Sequence, residues 1–260
     1  MFRSSIWSQV KRTARVYSAG TGLAAAALGV AGCGDGHEMD CLKSTGKVVT
    51  ERRDLAAFQV ILAYDNVDVT LVQDAATYAE VRAGKNLQED IELRVENGAL
   101  VIHNTSRCNW VRTYDTPREV TVHLPKLHDI FLRGQGNIST ASNFRADSLF
   151  CHLVGAGDYD LDITSQYVNL DMYELGNINL RGEADEFTML VGGSGTLYAD
   201  GLQTKRCFFR FNADSEGNAR VRATEFLGGI NAGVGTLFYQ GAPLKTDIKV
   251  TGKGQVVQQK

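Results

Sequence analysis

A short glycine phrase recurs along the second half of this chain. Its instances are Gly134-Gln135-Gly136, Gly155-Ala156-Gly157, Glu174-Leu175-Gly176, Gly193-Ser194-Gly195, Ser215-Glu216-Gly217, Gly233-Val234-Gly235 and Gly252-Lys253-Gly254. The last glycine of each phrase follows the previous one after 18 to 22 residues. Such even spacing indicates a structural repeat rather than a set of unrelated turns.

Apolar residues occupy every second position on both sides of these glycines, which is the pattern of β-strands. Before the turns the apolar residues are Leu149, Cys151, Leu153, Val168, Leu170, Met172, Phe187, Met189, Val191, Phe209, Phe211 and Ala213. After the turns they are Ile138, Tyr159, Ile178, Leu197, Ala219, Leu237 and Val256. We expect all of them to point inward, together with Cys207. Stacked repeats of this kind predict an all-β fold, a single-stranded parallel β-helix with about 20 residues per coil.

The first half of the chain shows the same alternation less regularly. Strands are predicted at 67–71, 91–95, 100–102 and 120–124, and Glu96-Asn97-Gly98 predicts a tight turn between two of them. We therefore divide this part of the chain into an N-terminal β part, residues 48–125, and the glycine-turn repeats, residues 126–260.

The first 32 residues read as a signal peptide. Four basic residues and no acidic ones precede a short apolar run, which is too short to span a membrane. The run ends at Val30-Ala31-Gly32-Cys33, which resembles a lipobox and makes Cys33 the predicted lipidation site. The alternative is an ordinary secretory signal that happens to contain a cysteine. Residues 33–47 then form a polar tether.

Without the signal peptide the chain carries 23 basic and 30 acidic side chains, a formal charge of −7. Nucleic-acid-binding proteins are usually basic, so we expect no nucleic-acid partner.

An exported protein can form disulfides, and Cys41 and Cys108 both lie in polar, loop-like stretches, so they are a possible pair. Cys151 and Cys207 share the inward parity and are predicted to be small buried hydrophobes. No cysteine has metal-type spacing, and we expect no metal site and no cofactor.

Two groups of residues are candidates for a ligand-binding face. Asp158, Asp160 and Asp162 have outward parity, so their carboxylates should line one strand beside Asn177, Asn179 and Arg181 of the next coil. Trp110 and Tyr114 lie in a long polar stretch and are either a stacking platform for a glycan or a loop packed on the body. The alternative interpretation of these three aspartates, here called the acidic row, is a solvated strand face without a ligand.

Three functions remain open for such a chain. The sequence shows no catalytic constellation, and its histidines have no partner at metal spacing, which favours a non-enzymatic envelope protein. The alternative is a polysaccharide-active β-helix enzyme, a lyase or hydrolase whose carboxylates are the acidic row. A calcium-binding β-roll would need a nine-residue period, and the period here is about twenty.

One family resembles this pattern. The string from Glu119 to Pro125, followed by Leu127, Ile130 and the phrase Gly134-Gln135-Gly136-Asn137-Ile138, is similar to the start of the repeats in the GIN-head domain family of auto-transporter adhesin heads. Leu55, Phe58, Val60 and the stretch 67–71 fit its N-terminal portion. The resemblance covers about residues 50 to 240. It implies a right-handed β-helix of the pectin-lyase-like kind, a role in adhesion at the envelope, and no catalytic residues.

Together these observations predict an outer-membrane lipoprotein, facing the periplasm or the cell surface, with an adhesin-like head. Its expected partners are the membrane, through the lipid anchor, and a glycan or protein ligand. A homo-oligomer is possible because a β-helix has open ends.

Overall fold

The computed structural model describes residues 44–106 and 116–259. Among them the regular structure is seventeen strands and one 3₁₀ turn, Lys85–Leu87, with no α-helix. The strands are β1 (Val48–Asp54), β2 (Val60–Ala63), β3 (Asp68–Gln73), β4 (Tyr78–Gly84), β5 (Ile91–Glu96), β6 (Ala99–Asn104), β7 (Arg118–Leu124), β8 (Asp129–Leu132), β9 (Ile138–Thr140), β10 (Phe144–Leu153), β11 (Tyr159–Met172), β12 (Ile178–Val191), β13 (Thr196–Phe211), β14 (Asn218–Asn231), β15 (Thr236–Gln240), β16 (Lys245–Val250) and β17 (Gln255–Gln258). The predicted all-β fold is confirmed.

The strands wind into a parallel β-solenoid of about six turns, roughly 20 residues apart. Each coil has a front strand after its glycine turn and a rear strand before the next one. From β11 to β14 a single long strand makes both, so the chain bends from front to rear without leaving extended structure. Neighbouring coils pair in parallel register, with Tyr159 opposite Ile178 and Ile178 opposite Leu197.

The last glycines of the seven phrases form a column, here called the glycine spine. A Cβ atom placed on Gly157 would lie 1.8 Å from the carbonyl oxygen of Gly136, and one on Gly176 would lie 1.9 Å from that of Gly157. The same contact recurs at Gly195, Gly217, Gly235 and Gly254, at 1.8 to 2.4 Å from the glycine one coil earlier. None of the spine glycines has a positive φ. Glycine is therefore required because stacked backbones approach too closely for any side chain, and not because the turn is left-handed.

The inward positions form one continuous hydrophobic core. The predicted residues before and after the turns are buried, including Cys151 and Cys207, and Val256 is partly buried against the core. Ala213 is the exception, because it is exposed. Val191 pairs with Phe211, so the inward positions of this coil are Cys207, Phe209 and Phe211. The turn that follows is longer than its neighbours, and Ala213 lies in that turn.

The first strands of the chain belong to the same stack but not in chain order. β2 lies between β6 and β8 on the rear face, and β3 lies between β7 and β9 on the front face. The coil β2–β3 is thus inserted between two coils that follow it in sequence. All four strands predicted in this half are present, and the Asn97-Gly98 turn, with φ of 51° and 77°, joins the antiparallel pair β5–β6 as expected.

The two ends of the solenoid differ. At the N-terminal end β1 pairs antiparallel with β4, β4 with β7, and β5 with β6. The buried Gln88 side chain donates to the carbonyl oxygens of Val49 and Val81, and Arg53 donates to the backbone of Gln88 and Ile91. Burial lowers the pKa of Arg53, with Glu51 acting in the opposite direction. At the C-terminal end β16 pairs with β14 and β17 with β15, and no other described strand pairs with either of them.

Candidate functional site

The acidic row lies on the outward face of the front sheet, at the start of β11. Asp160 and Asp162 alternate with buried Tyr159 and Leu161, so both carboxylates point away from the core. Arg181 of the next coil contacts both of them, pairing closely with Asp160 and placing its Nε 3.4 Å from Asp162. Both carboxylates are therefore already engaged by a guanidinium that is itself partly exposed.

Amide groups complete the contacts of these two carboxylates. Asn179 Nδ2 donates to Asp160 at 3.1 Å, and Asn143 Nδ2 donates to Asp162 at 2.7 Å. Because the groups are half-exposed, such pairs contribute only a few tenths of a kcal/mol each to stability. The acidic row, together with Arg181, thus exposes hydrogen-bonding groups of both charges.

Asp158 has a different role, in a ladder that runs along the stack. Its Oδ1 accepts a hydrogen bond from the backbone N–H of Asn177 at 2.6 Å, and its own N–H donates to Asn137 Oδ1 at 3.0 Å. The ladder continues from Asp68 to Asn137, from Asn177 to Thr196 and from Asn218 to Thr236. Except for Asp68, which follows Val67, these side chains directly follow a spine glycine, and each satisfies a backbone donor of the next coil. We call this column the Asx ladder; its role is structural.

A second row of outward side chains crosses the front face beside the acidic row. Asp160 pairs in register with Asn179, Asn179 with Tyr198, and Tyr198 with Arg220. These four residues are here called the Tyr198 strip. The ring of Tyr198 is 40% exposed, and the guanidinium carbon of Arg220 lies 5.6 Å from its centroid. With about 4.8 Å between coils, the strip extends over roughly 14 Å. Asp158, Asn177 and Asp200 line the same open depression.

Charged side chains of alternating sign recur five residues after the last glycines, at Asp162, Arg181, Asp200 and Arg222, but they do not form one continuous column. Asp162 faces Arg181, but the register shifts beyond Asn179, so that Arg181 pairs with Gly201 instead of Asp200. Arg222 Nη2 donates to Gln240 at 2.7 Å. The shift leaves Asp200 beside the Tyr198 strip.

The other predicted site residues lie outside the described part of the chain. These are Cys33, Cys41, Cys108, Trp110 and Tyr114. Lipidation, the Cys41–Cys108 disulfide and the aromatic platform therefore stay predictions.

Sequence analysis missed an arrangement shared by the four described histidines. Each contacts a carboxylate and stacks on an aromatic ring of a neighbouring strand, as His152 does with Asp171 at 3.0 Å and Phe131 at 4.3 Å. The others are His103 with Asp65 and Tyr64, His123 with Asp74 and Tyr78, and His128 with Asp129 and Phe150. The pKa of Asp74 is lowered, first by a hydrogen bond from the Ala76 N–H and also by His123. In three of the four cases the carboxylate comes from another element or another coil. The alternation of apolar residues in the sequence does not reveal such contacts.

No group of three or more His, Cys, Asp or Glu side chains among the described residues is arranged to hold a metal ion. In the same part of the chain, no helix has the length and apolar character needed to cross a membrane.

An apolar groove lies on the rear face. It is lined by Phe208 and Phe226, whose ring centroids are 5.1 Å apart, and by Gly228 and Ile230.

Comparison with known proteins identifies the family. The profile of the family described as "Putative auto-transporter adhesin, head GIN domain" matches residues 57–243. The chain belongs to this family. The match begins just before β2 and ends after β15, so the GIN domain contains the glycine spine from Gly136 to Gly235 and the whole Tyr198 strip. No curated protein matches the chain.

Solved structures share the GIN-domain fold. A putative adhesin from Bacteroides fragilis superposes with a TM-score of 0.70 at 20% identity, covering 82% of this chain and 97% of its own. A structure named as a putative lipid binding protein, from Parabacteroides distasonis, gives 0.64 at 20% identity over 83% and 98%. A putative adhesin from the same species gives 0.61 at 19% identity over 82% and 98%. At this identity the likeness shows the fold. The head is adhesin-like, and its family suggests a protein of the cell envelope or surface.

Proposed function

We propose that this protein is a non-enzymatic lipoprotein of the cell envelope, held by a lipid on Cys33, whose adhesin-like head binds carbohydrate along the Tyr198 strip. The observation that carries the proposal is the half-exposed Tyr198 ring in register with Asn179 and Arg220 on a parallel sheet. The family and the names of the similar structures, which refer to adhesion or lipid binding, support a binding role.

The chemistry of the strip suits a sugar. A phenol ring offers an apolar face on which the C–H face of a pyranose can pack, and a hydroxyl that stays in water. Asn179, Asp160 and Arg220 supply amide, carboxylate and guanidinium groups for the hydroxyls of the sugar. Because the strip crosses four coils of a regular stack, these groups are held by the backbone ladder and need little ordering when a ligand binds.

The acidic row supports binding better than catalysis. Asp160 and Asp162 both contact Arg181, and each also accepts a hydrogen bond from an amide. A glycosidase needs one carboxyl group to donate a proton and the other to act as nucleophile or base. Two carboxylates that share a guanidinium are better placed to accept hydrogen bonds from sugar hydroxyls.

A glycan array probed with the wild-type head and with Tyr198→Ala tests the proposal. We expect the wild type to bind a subset of glycans and Tyr198→Ala to lose about tenfold or more in affinity, because stacking and hydrogen bonding are lost together. Tyr173→Ala is the matched control, since Tyr173 is 45% exposed but lies outside the strip. Equal binding by wild type and Tyr198→Ala, or no binding to any glycan, would contradict the proposal. Release of unsaturated or reducing sugars from a bound glycan would instead indicate the enzyme.

A further inference from the structure

The C-terminal end of the solenoid exposes the unpaired edge of β16. The N–H of Thr251 donates to the carbonyl oxygen of Asn231 in β14 at 2.8 Å. Since backbone groups alternate in direction along a strand, Lys249, Asp247 and Lys245 also direct theirs toward β14. The N–H and C=O groups of Thr246, Ile248 and Val250 therefore point to the open side, where no described strand pairs with them.

The side chains at this edge continue the core. Thr246 pairs with buried Leu227 and Val250 with buried Asn231, so both have inward parity, as does Ile248 between them. Ile248 and Val256 are only partly buried, Val250 is 45% exposed and the neighbouring Leu244 is 87% exposed. The last coil thus leaves both hydrogen-bonding groups and apolar side chains without a covering layer among the described residues.

The outward side chains of β16 have the order Lys245, Asp247, Lys249. A protective edge usually carries like charges or proline that disfavour pairing. Here an acidic residue stands between two basic ones, so the strand is complementary to itself in two antiparallel registers, centred on Thr246 or on Ile248. If Ile248 lies opposite Ile248 of a second copy, Asp247 of each copy lies opposite Lys249 of the other.

The register centred on Thr246 would pair only residues 245–247 of the two strands and place Lys249 opposite Pro243, whereas the one centred on Ile248 pairs residues 246–250. The registers centred on Asp247 and on Lys249 are disfavoured by charge. Centring the pair on Asp247 places two carboxylates opposite each other and Lys245 opposite Lys249. Centring it on Lys249 places two ammonium groups together. Like charges directly opposite destabilise a strand pair, whereas opposite charges stabilise it. The register centred on Ile248 also places the edge-directed groups of Thr246, Ile248 and Val250 opposite one another, as an antiparallel ladder requires.

We propose that two copies of this chain associate end to end through their β16 edges, antiparallel about Ile248, to form a two-fold symmetric dimer. Each Asp247 then pairs with Lys249 of the other copy, and Ile248, Val250 and Val256 continue the hydrophobic core across the junction. A two-fold contact uses the same surface on both copies and closes the assembly at two, so it ends the edge rather than extending it into a fibre.

Charge reversal at the edge tests this dimer by sedimentation velocity over a range of concentrations. The full chain with Cys33→Ser, which removes the proposed lipidation site, is the reference and is expected to dimerise. Asp247→Lys and Lys249→Asp each place like charges opposite one another at two symmetric positions, so each should weaken dimerisation about tenfold or more. The double variant Asp247→Lys/Lys249→Asp restores opposite charges and should restore the dimer.

Lys245→Asp is the matched control. Lys245 lies on the same face of β16 but opposite Thr251 in the proposed register, so its reversal should leave dimerisation unchanged. A reference chain that stays monomeric at high concentration would overturn the proposal. So would single variants that dimerise as the reference does, or a double variant that fails to recover while keeping the circular dichroism of the reference. These outcomes are independent of whether the Tyr198 strip binds a glycan.

Discussion

At the scale of single residues, the glycine spine decides where the chain can turn. Each spine glycine lies so close to a carbonyl oxygen of the coil before it that a methyl group would occupy the same space. The contact is with backbone, which cannot rotate away as a side chain can. The middle residue of the phrase varies. The first residue is glycine in five coils, where a Cβ on Gly155 would lie 2.2 Å from the carbonyl oxygen of Gly134, but glutamate and serine replace it at Glu174 and Ser215.

We expect Gly176→Ala to destabilise the protein by about 1–3 kcal/mol, because its Cβ would lie 1.9 Å from the carbonyl oxygen of Gly157 and the two coils would have to separate. Urea unfolding followed by circular dichroism measures the change. Leu175→Ala is the neighbouring control, since Leu175 is 67% exposed, and it should change the unfolding free energy by less than about 0.5 kcal/mol. Equal stability of Gly176→Ala and wild type would show that the stack tolerates a side chain there.

The spacing of the glycines can be predicted from the sequence, but the reason why glycine is required at these positions cannot. Glycine at a turn suggests a left-handed backbone, and only a stack shows that the requirement comes from the neighbouring coil. The Tyr198 strip was also within reach of the sequence. Its members lie three residues after the last glycine of their phrases, at Asp160, Asn179, Tyr198 and Arg220.

At the scale of strands, alternation predicts which side chains are inward but not how the register drifts. The longer turn after β13 moves Ala213 out of the core, and the shift beyond Asn179 separates Arg181 from Asp200. The first is a turn one or two residues longer than its neighbours, and the second is a one-residue shift within paired strands. Neither leaves a clear pattern in the amino-acid order. β1 was not predicted because it is mostly exposed and rich in charged residues, and β4 because its inward residues Ala79, Val81 and Ala83 give only a weak apolar alternation.

The inward columns of β10 and β13 contain two thiols whose ionisation is linked to stability. Burial raises the pKa of Cys151 to about 12, with the carboxylates of Asp129 and Asp171 adding to the effect, and burial alone raises that of Cys207 to about 12. Tyr159 is buried in the same core, and its pKa is also raised, first by burial. An unfolded thiol ionises near pH 9, so between pH 9 and 12 protons leave the unfolded chain but not the folded one.

We therefore expect the unfolding free energy to be unaffected by these thiols below pH 9 and to fall as the pH rises from 9 to 12. Each thiol contributes a slope of up to about 1.4 kcal/mol per pH unit. The variant Cys151→Ala/Cys207→Ala should have a shallower slope in denaturant titrations at pH 8 to 11, although its stability at pH 8 is lower. Cys33→Ser is the control and should keep the wild-type slope. An unchanged slope in the double variant would show that other groups govern alkaline unfolding.

At the scale of the whole molecule, the two faces and the two ends of the stack expose different groups. The front face carries the Tyr198 strip, which alone of the surfaces described combines an exposed aromatic ring with charged and amide groups in register. The N-terminal end is closed by antiparallel strands, and the C-terminal end is open. A head of this kind can bind along its length while it is held at one end.

The anchor is tested in cells that export the protein. We expect Cys33→Ala to release the protein from the membrane fraction and to abolish incorporation of labelled fatty acid, because thioether and amide acylation both depend on that residue. Cys41→Ala is the control and should stay in the membrane fraction. Digestion of intact cells with protease then separates a surface position from a periplasmic one. Membrane retention of Cys33→Ala would contradict the lipoprotein assignment.

The inserted coil β2–β3 has a consequence for how the molecule folds. Val60 must pair with Ala99 on one side and with Asp129 on the other, and Val69 must pair with Ile138, so these contacts join parts of the chain 39 to 69 residues apart. Every coil beyond β9 needs only its predecessor, about 20 residues away. Closing long loops costs more entropy than closing short ones, and distant contacts slow folding. We therefore expect folding to have one slow nucleation event near the N-terminal end, followed by rapid addition of coils toward the C-terminus.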